Sequence, residues 1–515
     1  MSTRRSRLLG GGTALLAGAA MILGAAAQAQ AKPLSAIDWL SRSVSAIPPG
    51  PPARPQTGQG SIDTSILGAT GLDAVGLLPA KVTGLPRNLW QASHSADLAR
   101  LLQAEPEHLL PALQELLYRL VLTEADPPGD AGAAGGFLLA RVDRLLDYGA
   151  LDQAQALLQQ TGIRQPQLFR RWFDVELLLG QEQSACKAMN STPEIAPTLP
   201  ARIFCLARTG DWGAADIALT AGNALGVIPQ EDSAVLTRFL DTASSDEHLK
   251  PLPPPSRPSP LLWRMMEAVG QPIPTNTLPL AFAYSDLRPN IGWKTQVAAA
   301  ERLARNDAIP PNQLIGIYMK GKPSASGDPW DRVAAVQKLD AAVRAKDSAA
   351  VSRALPPAWT AMEKAGLAMP FATLFGAKLA AMHLSGKPGE LAFRIGLLSP
   401  AAETIAGNRI ATNPDESFLI GLARGRVDGL TPPNPMGQAI AAAFAPGADP
   451  GADLDALLGQ QKIGEAILRA IARISDGASG DLRGVTAGLA LLRKAGLDKA
   501  ARQTALQLML LSKAG

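Results

Sequence analysis

Histidine, cysteine and aromatic side chains are scarce in this 515-residue chain, and each shortage removes a class of chemistry. The four histidines, His94, His108, His248 and His383, are never spaced as metal-ligand pairs such as i, i+4. Cys186 and Cys205 stand alone without a neighbouring histidine, which is half of a zinc shell. Aromatic residues make up 4% of the chain, too few for the stacking platforms that bind single strands or sugars. The Gly-x-Ser-x-Gly elbow, the glycine-rich phosphate loop and the His-Glu-x-x-His helix are all missing. The expectation is a protein with no cofactor, no metal and no catalytic site.

An excess of basic charge is missing too. The formal charge of +4 includes Arg4, Arg5 and Arg7 in a segment without acids. Without residues 1–31 the count is 46 basic against 45 acidic residues, which speaks against a nucleic-acid binder. After that segment no run has the length and apolarity of a membrane span.

What is present begins with a leader. The three arginines precede an apolar stretch from Leu8 to Ala27, which ends on the small-x-small triplets Ala27-Gln28-Ala29 and Ala29-Gln30-Ala31. Basic, apolar and small in that order is the layout of a secretory signal peptide, here residues 1–31. Arg7 stands where a twin-arginine export signal takes an apolar residue, which favours the general secretion route. A periplasmic location follows as an expectation.

Residues 32–60 read as a proline-rich lead. Within it Leu34, Ile37, Leu40 and Val44 recur at helical spacing, so this short amphipathic helix either docks on a partner or folds back on its own chain. Residues 61–93 read as irregular, 94–245 as a helical-repeat domain and 246–292 as a proline-rich connection. A second helical region spans 293–430, a Pro/Gly-rich loop 431–453 and C-terminal helices 454–515. Among the helices this predicts are Phe137–Tyr148, Leu168–Leu179, Ala201–Thr209, Ser348–Leu355 and Trp359–Gly366.

The repeat rests on six residues. Gly149, Gly180 and Gly210 each end a leucine-rich helix, and Ala154, Ala185 and Ala215 follow five residues later. The glycine takes a left-handed cap without steric cost, and the alanine lets two antiparallel helices approach. Over residues 137–226 the pattern resembles the tetratricopeptide-like superfamily, with weaker echoes at Ala345/Ala350 and Gly496/Ala501. The resemblance implies an all-α solenoid of helical hairpins with a concave face that binds a peptide or protein.

The two cysteines, 19 residues apart, suit a disulfide in an exported chain; the alternative is two buried thiols. Trp263, Trp293, Trp330 and Trp359, interspersed with Asp286, Arg288, Glu301, Arg302, Asp331 and Arg332, either line a groove for a chain terminus or glycan, or bury themselves at helix junctions. Ser184-Ala185-Cys186-Lys187 matches the Ser-x-x-Lys of penicillin-recognising enzymes without their Lys-Thr-Gly strand. Glu416-Ser417 resembles the Glu-Ser of lytic transglycosylases without the Gly-Leu-Met-Gln that follows it there.

The reading is a periplasmic helical-repeat scaffold or adaptor that binds another envelope protein. The alternatives are a polymer- or ligand-binding envelope component using the central tryptophans, and a diverged transglycosylase-like superhelical protein. N-terminal sequencing of exported material should begin near Gln30 or Lys32; a start at Ser2 would refute the leader.

Overall fold

The computed structural model describes residues 71–106, 108–162, 165–241, 250–255, 257–324, 326–478 and 480–511. The leader, the proline-rich lead with Leu34, Ile37, Leu40 and Val44, and His248 lie outside them. Among the described residues the fold is all-helical, with one isolated bridge between Leu78 and Thr123.

Helical hairpins form where glycine and alanine mark them. Gly136–Asp147 turns into Leu151–Thr161, Pro166–Leu179 into Glu182–Ser191, and Leu199–Arg208 into Trp212–Ala224. Gly149, Gly180 and Gly210 take φ of 72°, 73° and 96°, where a side chain would be strained. That conformation lets the following N–H reach back to a carbonyl of the last turn: Ala150 to Leu145 at 2.8 Å, Gln181 to Glu176 at 2.8 Å, Asp211 to Leu206 at 2.9 Å. Ala154, Ala185 and Ala215 are fully buried at the start of each second helix. The same closure recurs from Leu367 to Met362 and from Leu497 to Leu492. At the echo near Ala345 the left-handed residue is Lys346, with φ of 53°.

The structure differs from the pattern reading in several places. Ser348–Leu355 and Trp359–Gly366 are one helix, Ser348–Lys364, running through Pro356 and Pro357. Both prolines face solvent, so the carbonyls they leave unbonded reach water, while Val351, Leu355, Ala358 and Trp359 keep the buried face continuous. The stretch 431–453 contains the helix Pro435–Phe444, started by the Asn434 side chain accepting from Gly437 N at 2.8 Å. Within the connection 246–292, Pro260–Ala268 forms a helix, as its apolar spacing predicts, and Leu280–Leu287 adds a 3₁₀ segment.

Packing also reaches far along the chain. Asp498–Leu511 packs against Pro111–Leu122, and Ile463–Ala478 against Ser95–Ala104. The Gln507 side chain accepts from Ala112 N at 2.8 Å, and Gly464 N donates to the Leu89 carbonyl at 2.9 Å. In the middle, Leu280–Leu287 lies against Gly136–Asp147 and Pro166–Leu179, where Ser285 Oγ donates to the Leu178 carbonyl at 2.7 Å. Cys186 and Cys205 sit at bonding distance with a Cα separation of 4.8 Å, pinning Glu182–Ser191 to Leu199–Arg208. Closing a loop of this length removes roughly 3 kcal/mol of unfolded-chain entropy.

Gly464 lies where two distant segments pack closely. A Cβ there would lie 2.3 Å from the fully buried Trp90 indole and 2.9 Å from the Leu89 carbonyl. Gly464→Val should therefore destabilise the fold by about 3 kcal/mol, read as a fall in denaturant midpoint. Gly270→Ala, at an open left-handed cap, should lose only about 1 kcal/mol.

Candidate binding surfaces

The third of these hairpins carries an exposed apolar face. In Trp212–Ala224, Asp216 is the single charged side chain among 13 residues. Ala215, Leu219 and Gly222 are buried, and the helix packs on Leu199–Arg208. On the opposite side Ile217 is 71% exposed and Leu225 75% exposed. Helical spacing places the exposed Gly213, Ala221 and Ala224 in the same arc, with half-buried Ala214 and Ala218 towards its packed edge and Asp216, Thr220 and Asn223 at the other. Trp212 (42% exposed) and Val227 add apolar surface at the two ends. One exposed isoleucine is ordinary, but a whole helical face without charge is a candidate contact surface.

The central tryptophans are anchors rather than one open groove. Trp263, Trp330 and Trp359 are buried, and Trp293 is half-buried. Trp263 donates to the Ile273 carbonyl at 2.9 Å and Trp293 to the Ile317 carbonyl at 2.8 Å. The Trp293 and Trp330 rings lie 4.7 Å apart, whereas Trp359 meets Phe371 edge to face. Large rings with satisfied N–H groups at helix junctions supply packing area.

The charges between them are mostly committed as well. Glu301 accepts two bonds from Arg332, at 2.8 and 2.7 Å, and one from the Tyr318 hydroxyl at 2.6 Å, all buried. Burial, followed by the Glu301 carboxylate, holds the Tyr318 phenol well above its usual range. Arg288 clasps Glu267 and lies over the Trp263 ring; Asp331 accepts from Gly327 N at 3.1 Å. What remains open is a cavity of about 440 Å³ bordered by Trp263, Ile273, Ile291, Asp286, Lys294 and Arg302. Burial raises the Asp286 carboxyl, which accepts from Thr275 Oγ1, and Arg302 spends two donors on the Thr275 and Leu278 carbonyls.

Glu416 is held as a charged acceptor. Burial pushes its carboxyl up, but hydrogen bonds from Arg409 at 2.8 Å and from Thr412 N and Oγ1 at 2.9 Å outweigh that and keep it below its usual range. A general acid for glycosidic cleavage needs the opposite shift. Ser184 is exposed on Glu182–Ser191, and the neighbouring Cys186 is buried in the disulfide. A further cavity of about 460 Å³ lies beside Arg409, between Ala368–Ala380, Gly386–Leu398 and Ala402–Gly407. Sequence reasoning missed it, because its lining comes from three helices. It also missed the Ile217–Leu225 face, although the near-absence of charge from residue 212 to 227 was a readable signal.

No protein-family model, no curated protein and no solved structure matches the chain.

The carboxyls driven furthest upward are structural. Burial raises Glu105 to about 8 against the pull of Arg144, and burial raises Asp174 to about 7 against Arg170. Neither borders the two cavities described. An acid whose folded pKa exceeds its unfolded one holds a proton in the native state that the unfolded chain has released. Its burden on stability is therefore absent near pH 4 and grows as pH rises towards 7 or 8. Asp174→Asn and Glu105→Gln should raise Tm at pH 8 relative to the parent and change it little at pH 4; equal gains at both would refute the assignment.

Proposed function

We propose that this chain is an exported, periplasmic helical-repeat scaffold whose hairpins over 136–224 stack in tetratricopeptide-like fashion and whose last hairpin docks an amphipathic helix of another envelope protein. The observation that carries the reading is the charge-free arc of Trp212–Ala224 with Ile217 and Leu225 exposed. An apolar helical face is recognised through spaced anchors of a partner helix, with Ile217 and Leu225 as knobs and the alanines between them as holes. Among the described residues no helix is long and apolar enough to cross a membrane, and the cysteine pair at bonding distance is compatible with an oxidising compartment. The alternative, a ligand-binding envelope component using the central tryptophans, keeps one supporting observation, the cavity beside Trp263.

A photo-crosslinking side chain placed at Ile217 should capture one envelope protein as a discrete adduct. Leu225→Asp should weaken that complex about tenfold or more, as loss of an interface anchor does, with circular dichroism unchanged. An adduct that forms equally with the aspartate variant, or that consists of two copies of this chain, would overturn the reading.

A further inference from the structure

The cavity beside Arg409 has no carboxylate in its lining. Its walls are apolar, made by Phe393, Leu384, Ile405 and several alanines. Its polar residues are His383, Thr404, Asn408 and Arg409, so both ionisable side chains in the lining are basic and no carboxylate takes part. His383 stands in the left-handed region with φ of 48°, a conformation that non-glycine residues keep only where the surroundings impose it. Gly389 permits the turn that carries it, since a Cβ there would meet the Leu384 carbonyl at 2.1 Å.

Arg409 is positioned before any ligand arrives. Its guanidinium lies 4.8 Å from the centre of the Phe393 ring, and one nitrogen, Nη2, donates to Glu416 at 2.8 Å. Glu416 is fixed in turn by Thr412, so the guanidinium has both a stacked face and a tethered edge. Nε is buried without an acceptor in the protein, and the Arg409 side chain is 28% exposed, so the donors a ligand can reach are on the outer guanidinium nitrogens. A planar guanidinium with donors to spare, set against an aromatic face, suits the oxygens of a carboxylate or phosphate. Apolar walls with a few convergent polar groups are the usual composition of a small-molecule site.

We propose that this cavity binds a small amphipathic carboxylate, its apolar body against Phe393, Leu384 and Ile405 and its head on Arg409 with Asn408 and Thr404 beside it. The proposal is independent of the docking face on Trp212–Ala224. Two sources offer this chemistry, a short alkyl acid and the C-terminal carboxylate of a peptide that ends in an apolar residue. Octanoate and N-acetyl-leucine represent them, and octanol supplies the same alkyl body without the charge.

Titration calorimetry of the full chain should show saturable binding of at least one of the two anions, at least about tenfold tighter than octanol, the factor carried by one charge-assisted hydrogen bond. Which anion binds distinguishes the sources. Arg409→Gln should erase the preference over octanol. Ala401→Trp, which fills the cavity and leaves the Arg409–Glu416 pair in place, should abolish binding with an unchanged thermal melt. Binding of neither anion, equal binding of octanol, or full affinity in the folded Ala401→Trp variant would overturn the proposal.

Discussion

The helix Asp498–Leu511 is packed against five others, Pro111–Leu122, Gly386–Leu398, Pro414–Ala423, Pro435–Phe444 and Leu482–Lys494. Ala500, Ala501 and Ala505 are buried and keep its flanks small, while Leu506, Leu508 and Leu510 fill the spaces between the neighbours. Gln507 joins it to the first turn of Pro111–Leu122, and Arg502 reaches the Ala423 carbonyl at 3.3 Å. A helix used on several sides cannot be held by its own hairpin partner alone. Its burial couples helices from both ends and from the middle, so the contacts do not stop at neighbouring pairs as they do in an open repeat stack.

Charge is used inside this packing to set register. Arg141 is fully buried and donates to the Val121, Asp73 and Thr123 carbonyls, which ties the first described segment to the hairpin that follows. Glu182 accepts from Arg208 at 2.9 Å and from Arg264 at 3.1 Å, linking two repeat helices to Pro260–Ala268. Glu301, Arg332 and Tyr318 do the same for three central helices. Ion pairs out of water add little net stability, but a misaligned helix would leave a charge unpaired at a cost of several kcal/mol.

Against that background the two binding candidates differ in kind. The Ile217–Leu225 arc is surface that the packing leaves uncovered, with an apolar character set within one helix. The Arg409 cavity is a gap between helices, and its chemistry exists only once Phe393, His383 and Arg409 have been brought together. Glu416 serves the second as the anchor of a guanidinium, and the Arg409 and Thr412 donors compensate its burial.

Within the sequence itself the hairpins were legible. Gly149, Gly180 and Gly210 with Ala154, Ala185 and Ala215 act through atoms within about one turn of themselves, so spacing alone located each cap and each close contact. The cysteine pair was legible for a related reason, since it joins helices adjacent in the chain. The proline rule misled at Pro356–Pro357 because its outcome depends on which face meets solvent, and only packing decides that. The four tryptophans showed that large rings would be used, but not whether they would meet one another or be covered separately. Gly464 against Trp90, and Gln507 against Ala112, join residues hundreds of positions apart, and neither member of such a pair marks the other. Capping and helix pairing are local energies, written where they act; burial, cavity lining and the pairing of distant charges are set by whichever remote side chains arrive, which only the folded chain determines.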